Sequence, residues 1–254
     1  GPENLGVPYA AAGLDDEARD LLTIAARLTP LHPMAAYTLS YLARRNGDAA
    51  ADTEWHARAA EASPDYCFPW RLEEMLILQD TLRAYRDDAR ASYYLGNLLY
   101  DKLRRAEAVA LWQRAADLEP RLSIPWRNLG LAAYNDDKDL DAALAYFEKA
   151  VAANPQDPRL MLEHDFLLRR KAVAPETRLA RYLERMDVVV QRNDLITELM
   201  ALYNRTGQPA EALDLCQGRN FHPWEAGEGS VASQYTSAHW LLGATTYTGM
   251  GRTR

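Results

Sequence analysis

Small and aromatic residues recur in a fixed order along the middle of this chain. One run contains Leu95-Gly96, Ala108, Trp112, Ala115 and Pro120, and the next contains Leu129-Gly130, Ala143, Phe147, Ala150 and Pro155. The closing residues Pro120 and Pro155 are 35 positions apart, and the earlier Pro30 and Pro64 are 34 apart. Proline cannot continue a helix because its ring disrupts the i→i−4 ladder. The pattern therefore predicts repeated pairs of packed helices, each pair ending near a proline.

A period of 34 residues with two helices in each unit is typical of tetratricopeptide repeats. We therefore predict an all-α fold, a tetratricopeptide-type helical-hairpin solenoid in the form of a right-handed α-superhelix, with degenerate repeats at the ends. Gly96 and Gly130 are expected inside first helices, where a neighbouring helix approaches too closely for a side chain. Alanines on the second helices have the same role, and Trp112, Trp126 and Phe147 fill the space between repeats.

The spacing divides the chain into four predicted regions. They are degenerate repeats over 1–64, an irregular insert plus a single helix over 65–88, two well-formed repeats over 89–155, and degenerate helical repeats over 156–254 that include the loop Phe221–Gly229. The insert follows from the interval between Pro64 and Arg86, which is only 22 residues and has room for one helix. We expect residues 65–69 to be extended and partly buried. The chain starts and stops inside repeats, so we expect it to be a piece of a longer protein.

Composition excludes several classes of function. The formal net charge is −7, which disfavours broad binding of nucleic acid. The two cysteines, Cys67 and Cys216, lie far apart, so we expect buried thiols rather than a metal pair or a disulfide framework. No apolar run approaches the roughly 20 residues that a membrane span needs. The N-terminus has no export-signal pattern, and we expect a cytoplasmic location with no membrane partner.

Several short segments resemble one bacterial family. The segments are Asp65-Tyr-Cys-Phe-Pro69, Arg71-Leu-Glu-Glu74, Tyr93-Tyr-Leu-Gly-Asn-Leu-Leu-Tyr-Asp101, Trp126-Arg-Asn-Leu-Gly130, Phe221-His-Pro-Trp-Glu225 and Gly227-Glu-Gly229. Members of that family carry an N-terminal β-rich, carbohydrate-enzyme-like domain of unknown function, followed by tetratricopeptide repeats. The resemblance implies that this chain is the repeat region, that the β-rich domain is its partner, and that the setting is carbohydrate metabolism.

The first helices of such an array line its inner surface, and one face of each helix is expected to form a partner-binding groove. The candidates in the two best repeats are Tyr93, Asn97, Tyr100, Arg127, Asn128 and Tyr134. Tyrosine, asparagine and arginine combine rigid contact area with adaptable hydrogen bonds, as binding surfaces do. The alternative is that these side chains pack against other helices of the chain itself.

The loop that precedes the last helix contains a second set of candidates, His222, Trp224, Glu225 and Glu228. Paired carboxylates can act in glycoside hydrolysis, and Trp224 could stack on a sugar ring. The competing interpretation is that Trp224 fills a gap in the core while Glu228 caps the helix near Ser230. His164 and Asp165 are adjacent in a predicted helix and do not share a face, so we predict no metal site there.

Three hypotheses about function follow from these patterns. The leading one is a non-catalytic scaffold that binds a protein or domain partner through its inner surface. The second is an accessory part of a carbohydrate-active enzyme, which contributes the loop with Trp224, Glu225 and Glu228 to a sugar site. The third is a self-association module, suggested by the uncapped ends. We predict no catalytic residues and no cofactor for this chain, because no nucleophile elbow or phosphate-binding glycine loop is present.

Overall fold

The structure, a computed structural model, describes residues 2–28, 32–65, 67–217, 219–221 and 230–250. Within these ranges the chain forms α-helices and one π-helix and contains no strand. This confirms the predicted all-α fold class. The chain divides into two compact units between Ala132 and Ala133.

The first unit contains eight helices within its described residues. They are α1 (Pro2–Ala11), α2 (Asp15–Leu28), α3 (Pro33–Arg45), α4 (Ala49–Glu61), α5 (Leu72–Ala84), α6 (Ala89–Asp101), α7 (Arg105–Leu118) and α8 (Ser123–Ala132). Three hairpins dominate the packing, formed by α1 with α2, α3 with α4, and α6 with α7. Pro8 lies inside α1, and the helix continues past it.

Close approach of α6 and α7 depends on Gly96. A Cβ atom built on Gly96 would lie 2.6 Å from both Cδ1 and Nε1 of Trp112 and 3.2 Å from the carbonyl oxygen of Ala108. Real Cβ contacts below about 3 Å are essentially not observed, because interiors are packed at crystal-like density. The expected role of this glycine is therefore confirmed.

A non-helical segment follows α4. The chain is not helical from Ala62 to Arg71 where it is described, and in this segment Cys67 and Pro69 are buried. Helix α5 then packs against α1, α3 and α6. Because α1, α3 and α6 are the first helices of the three hairpins, α5 lies on the first-helix side of this unit.

The second unit begins with the π-helix Ala133–Asp137. The α-helices that follow are α9 (Leu140–Ala153), α10 (Pro158–Arg170), α11 (Pro175–Leu183), α12 (Met186–Val189), α13 (Asn193–Arg205), α14 (Pro209–Cys216) and α15 (Ser230–Met250). Its core is built around α13, where Leu195, Ile196, Leu199 and Met200 are fully buried. Helix α15 packs on both α13 and α14. None of the described helices is long and apolar enough to cross a membrane.

Candidate interaction site

Tyr93 and Asn97 lie on α6, and both contribute to internal packing of the first unit. Tyr93 is only 3% exposed. Burial raises the pKa of Tyr93, and a hydrogen bond with the Asn97 side chain acts in the opposite direction. Cys67 and Asp65 also lie close enough to raise the pKa of this tyrosine. The segment that interrupts the repeats is therefore close to Tyr93, which offers little surface to a partner.

A hydrogen-bonded group connects α6, α7 and α8. The Oδ1 atom of Asn97 accepts a hydrogen bond from Nε1 of Trp112 at 2.9 Å and another from Nδ2 of Asn128 at 2.9 Å. A carbonyl oxygen has two lone pairs, so this acceptor is fully used. The structure thus brings Asn97 and Asn128 together, with Asn97 committed to the protein and both residues half-buried.

Tyr100 and Arg127 complete the part of the predicted groove that belongs to the first unit. The ring of Tyr100 lies 5.0 Å from that of Trp112, and the guanidinium carbon of Arg105 lies 5.8 Å from the Tyr100 centroid. Tyr100 and Arg127 are both half-buried. Each therefore keeps part of its side chain in solvent while its apolar part rests on the protein.

Tyr134 lies in the π-helix of the second unit. Its ring meets that of Phe166 edge to face, with centroids 5.9 Å apart. Such aromatic pairs contribute about 0.5–1.5 kcal/mol beyond the area that they bury. Contact of Tyr134 with a partner stays a prediction.

The candidates His222, Trp224, Glu225 and Glu228 fall in 222–229, outside the residues that the structure describes. The neighbouring Phe221 is described, and it packs against the core of the second unit that contains Leu195 and Met200. The proposed ligand or capping roles of this loop stay predictions.

Sequence reasoning missed a set of exposed apolar side chains near the start of α5. Phe68 and Trp70 in the interrupting segment, and Leu72 and Leu76 at the start of α5, are more than half exposed. Large apolar side chains in a sequence normally indicate burial. The only signal was indirect, since these residues occupy the interval where the repeat loses a helix.

Two buried polar clusters hold helices together. In the first unit, Asp88 caps α6 by accepting from the backbone N–H of Ala91 at 2.7 Å. It also accepts from the hydroxyl of Tyr37 at 2.9 Å, and Nε2 of His56 lies 2.9 Å away. In the second unit, Nε of Arg178 donates to Asp165 at 2.8 Å, and Tyr182 donates to the same carboxylate at 3.1 Å. Each carboxylate thus accepts hydrogen bonds from side chains of other helices.

Each cluster borders a cavity. One of about 520 Å³ is lined by residues that include His56, Tyr85, Asp88 and Arg90. Another of about 250 Å³ is lined by residues that include His164, Asp165, Arg181 and Tyr182. Among the described residues, no group of histidine, cysteine and carboxylate side chains is arranged to hold a metal ion. The thiol of Cys67 has its pKa raised to about 12, chiefly by burial, so it is protonated at neutral pH.

His164 makes the second unit sensitive to acid. It is 3% exposed, and burial, followed by the nearby Arg181, lowers its pKa from 6.5 to about 4. The fold favours the neutral ring, so the free energy of unfolding is highest above pH 6.5 and falls as the pH drops towards 4. Linkage predicts a loss of about 2 kcal/mol at pH 5 relative to pH 7.5 from this group.

This pH dependence can be tested by measuring the free energy of urea unfolding of the wild type and of His164→Gln between pH 7.5 and 5. Glutamine keeps an acceptor for Nη2 of Arg181, which lies 3.1 Å from Nδ1 of His164, but it does not titrate. The variant should lose about 2 kcal/mol less than the wild type over this range. The other histidines are present in both proteins, so their contribution cancels. Equal losses in the two proteins would contradict the assignment.

Comparison with one known protein family agrees with the helical-hairpin architecture. A family described as tetratricopeptide repeat matches residues 95–158. A structure titled as a functional characterisation of PilF from Pseudomonas aeruginosa is 20% identical, with 94% of this chain and 95% of that chain covered and a TM-score of 0.48. A thermophilic TPR protein of Thermus thermophilus is 18% identical, with coverage of 79% and 96% and a TM-score of 0.43. MamA from Desulfovibrio magneticus RS-1 is 19% identical, with coverage of 76% and 95% and a TM-score of 0.42. The chain has an all-α helical-repeat fold of the tetratricopeptide type.

Proposed function

We propose that this chain is a non-catalytic scaffold that binds a protein partner through a polar surface of the first unit. This surface, here called the α6–α8 face, consists of Asn97, Tyr100, Arg127 and Asn128. One observation carries the proposal: the 2.9 Å hydrogen bond from Asn128 to Asn97 holds polar side chains of two successive first helices side by side. Tetratricopeptide repeats are typical of protein-interaction scaffolds, and residues 95–158 match that family.

The chemistry of the α6–α8 face suits protein recognition. Tyr100 is held in place by the Trp112 ring, so little rotamer freedom is lost when it contacts a partner. Arginine and tyrosine are enriched among the residues that contribute most to binding energy. The hydrogen bonds of Asn97 pre-organise Asn128 before any partner arrives.

The buried polar clusters around Asp88 and Asp165 favour a scaffold over an enzyme. Asp88 and Asp165 each accept hydrogen bonds from neighbouring helices and carry out structural roles. A catalytic carboxylate needs to reach a substrate, whereas Asp165 is 5% exposed and already paired with Arg178.

For the partner we propose the β-rich domain that the family resemblance implies. The support for this choice is the resemblance alone. The same resemblance supports a role for Trp224, Glu225 and Glu228 at a carbohydrate site of the parent protein. In either case the repeats hold another domain in position and do not perform the chemistry themselves.

Site-specific photocrosslinking tests this function. A benzophenone amino acid placed at Tyr100 should give one dominant crosslinked product in cells of the native host, and the same group at Ile24, an exposed position on α2, should not. Adding Arg127→Glu should reduce the Tyr100 product about tenfold, because reversing a charge at the centre of an interface costs more than about one kcal/mol. Mass spectrometry then shows whether the partner is a β-rich domain. Equal products at the two positions, or no effect of Arg127→Glu, would rule out the α6–α8 face as the binding surface.

A further inference from the structure

Four exposed large apolar side chains lie at the start of α5 and in the segment just before it. Phe68, Trp70, Leu72 and Leu76 are 71%, 58%, 63% and 52% exposed, and we call these four residues the α5 patch. Since one aromatic side chain presents about 150–250 Å², the patch exposes on the order of 400 Å² of largely apolar surface. The largest apolar patch on a soluble monomer is itself about 300–600 Å² and is often functional.

Helix α5 has one buried face and one exposed face. Its inward side chains Glu74, Ile77, Leu78 and Thr81 are buried at the i, i+3, i+4, i+7 spacing of one helical face. Leu72 and Leu76 are four residues apart and lie on the opposite face. The first unit therefore uses one side of α5 for its own packing and leaves Leu72 and Leu76 exposed on the other side.

A positive charge lies further along the same outward face. Arg83 follows Leu76 by seven residues, two helical turns or about 10 Å, and its side chain is 74% exposed. Its described carboxylate neighbour, Asp80, lies 3.9 Å away and is already bound by Nη1 of Arg44 at 2.5 Å. The guanidinium of Arg83 is thus weakly neutralised and can attract a carboxylate at the end of the apolar strip.

We propose that an amphipathic helix of a partner protein docks on α5 in antiparallel orientation. Its apolar side chains would cover Leu72 and Leu76, and an Asp or Glu near its N-terminus would face Arg83. The spacing on α5 predicts the sequence pattern of the partner helix. An acidic residue opposite Arg83 is followed seven positions later by an apolar residue opposite Leu76. A second apolar residue, opposite Leu72, follows four positions after that. An acidic residue in the first turn is also favoured by the helix dipole.

The architecture explains why a helix fits this place. The first helices α1, α3 and α6 each pair with a second helix of their own, whereas α5 packs mainly against the first helices α1, α3 and α6. A docked helix would cover the face of α5 that these contacts leave exposed, by the helix-in-groove mode of recognition. The α5 patch shares no residue with the α6–α8 face, so this inference goes beyond the proposed function and does not depend on it.

A charge-swap experiment tests the proposal. The probe is a fluorescein-labelled, lactam-stapled 16-residue peptide with Glu, Leu and Leu at the predicted spacing, titrated with the purified chain and followed by anisotropy. We expect saturable micromolar binding that Leu76→Glu weakens about tenfold or more, and that Ile24→Glu, at a position 51% exposed on α2, leaves unchanged. Arg83→Glu should weaken binding about fivefold, and a peptide with Lys in place of Glu should restore it. Circular dichroism confirms that each variant is folded.

Three results would overturn the proposal. They are the absence of saturable binding, equal affinities of the wild type and Leu76→Glu, and failure of the Lys peptide to restore binding to Arg83→Glu. Sedimentation velocity adds a fourth: if Leu76→Glu converts a dimer into a monomer and the peptide does not bind, a second copy of the chain covers the patch. None of these results bears on crosslinking at Tyr100, so failure here and failure of the proposed function can be told apart.

Discussion

Replacing Asp165 with leucine is expected to lower the free energy of unfolding by about 3 kcal/mol or more. The substitution leaves the guanidinium of Arg178, which is 1% exposed, without its main counterion. Glu198 lies 3.4 Å from Nη2 of Arg178 and compensates only in part. The hydroxyl of Tyr182 also loses its acceptor. Removing one partner of a buried ion pair costs far more than the pair itself contributes, because the remaining charge stays desolvated.

A double-mutant cycle separates the cost of leaving Arg178 unpaired from the contribution of the ion pair itself. The variant Asp165→Leu with Arg178→Met removes both charges and should recover most of the lost stability, since apolar replacement of a buried pair is often close to neutral. Urea denaturation followed by circular dichroism provides the measurement. A matched control is Glu107→Gln, which breaks an exposed pair of similar geometry with Arg104 at 2.6 Å and should leave the midpoint unchanged. Additive losses in the double variant would show that Asp165 and Arg178 do not stabilise the fold as a pair.

Gly96→Ala is expected to reduce stability by about 2–3 kcal/mol, although alanine is the better helix former. The added methyl group would overlap the Trp112 ring, and Trp112 has little room to move because it is 4% exposed. Displacing the ring would also lengthen the hydrogen bond from its Nε1 atom to Asn97. The cost therefore includes both overpacking and damage to the polar group that joins α6 to α8.

Gly243 offers the control for this substitution. It lies in α15, and a Cβ atom built there meets nothing within 4 Å. Gly243→Ala should therefore be neutral or stabilising by up to about 1 kcal/mol, as expected from helix propensity alone. Thermal and urea unfolding of both variants provide the comparison. If Gly96→Ala is as stable as Gly243→Ala, close packing of α6 on Trp112 does not determine the spacing of this hairpin.

The fold was predictable because its main determinants repeat. Gly96, Ala108 and Trp112 stand at offsets that recur along the chain, and helix packing depends on such local periodicities. The interval between Pro64 and Arg86 leaves room for only one helix, and α5 is the helix that lies in this interval. These features depend on sequence spacing, which can be read without coordinates.

The candidate site was harder to predict because the exposure of its side chains depends on how the irregular segment packs against the helices. Tyr93 has the residue type and helical position of a groove residue, yet it is buried and lies near Cys67. Conversely, Trp70 and Leu72 have the residue types of a core and are exposed. The residues of an irregular segment follow no periodic pattern. The sequence therefore does not indicate which of them will contact α6.

The pair formed by Asp165 and Arg178 escaped prediction for a related reason. The two residues are 13 positions apart on separate helices, and their contact depends on how α10 and α11 pack. Charged residues in helical repeats usually lie on solvated faces, and only the three-dimensional packing shows that Arg178 is enclosed.

The contacts of Asp88 affect how the first unit folds. Asp88 is the N-cap of α6. Two of its hydrogen-bond partners, Tyr37 and His56, belong to the α3–α4 hairpin, which precedes the irregular segment. In repeat proteins the energy of each interface decides whether neighbouring repeats unfold together or one at a time. Asp88 therefore connects the N-terminus of α6 to the α3–α4 hairpin on the other side of the irregular segment. The irregular segment is therefore bridged by a cooperative link, and the two sides of the interruption are expected to melt in a single transition.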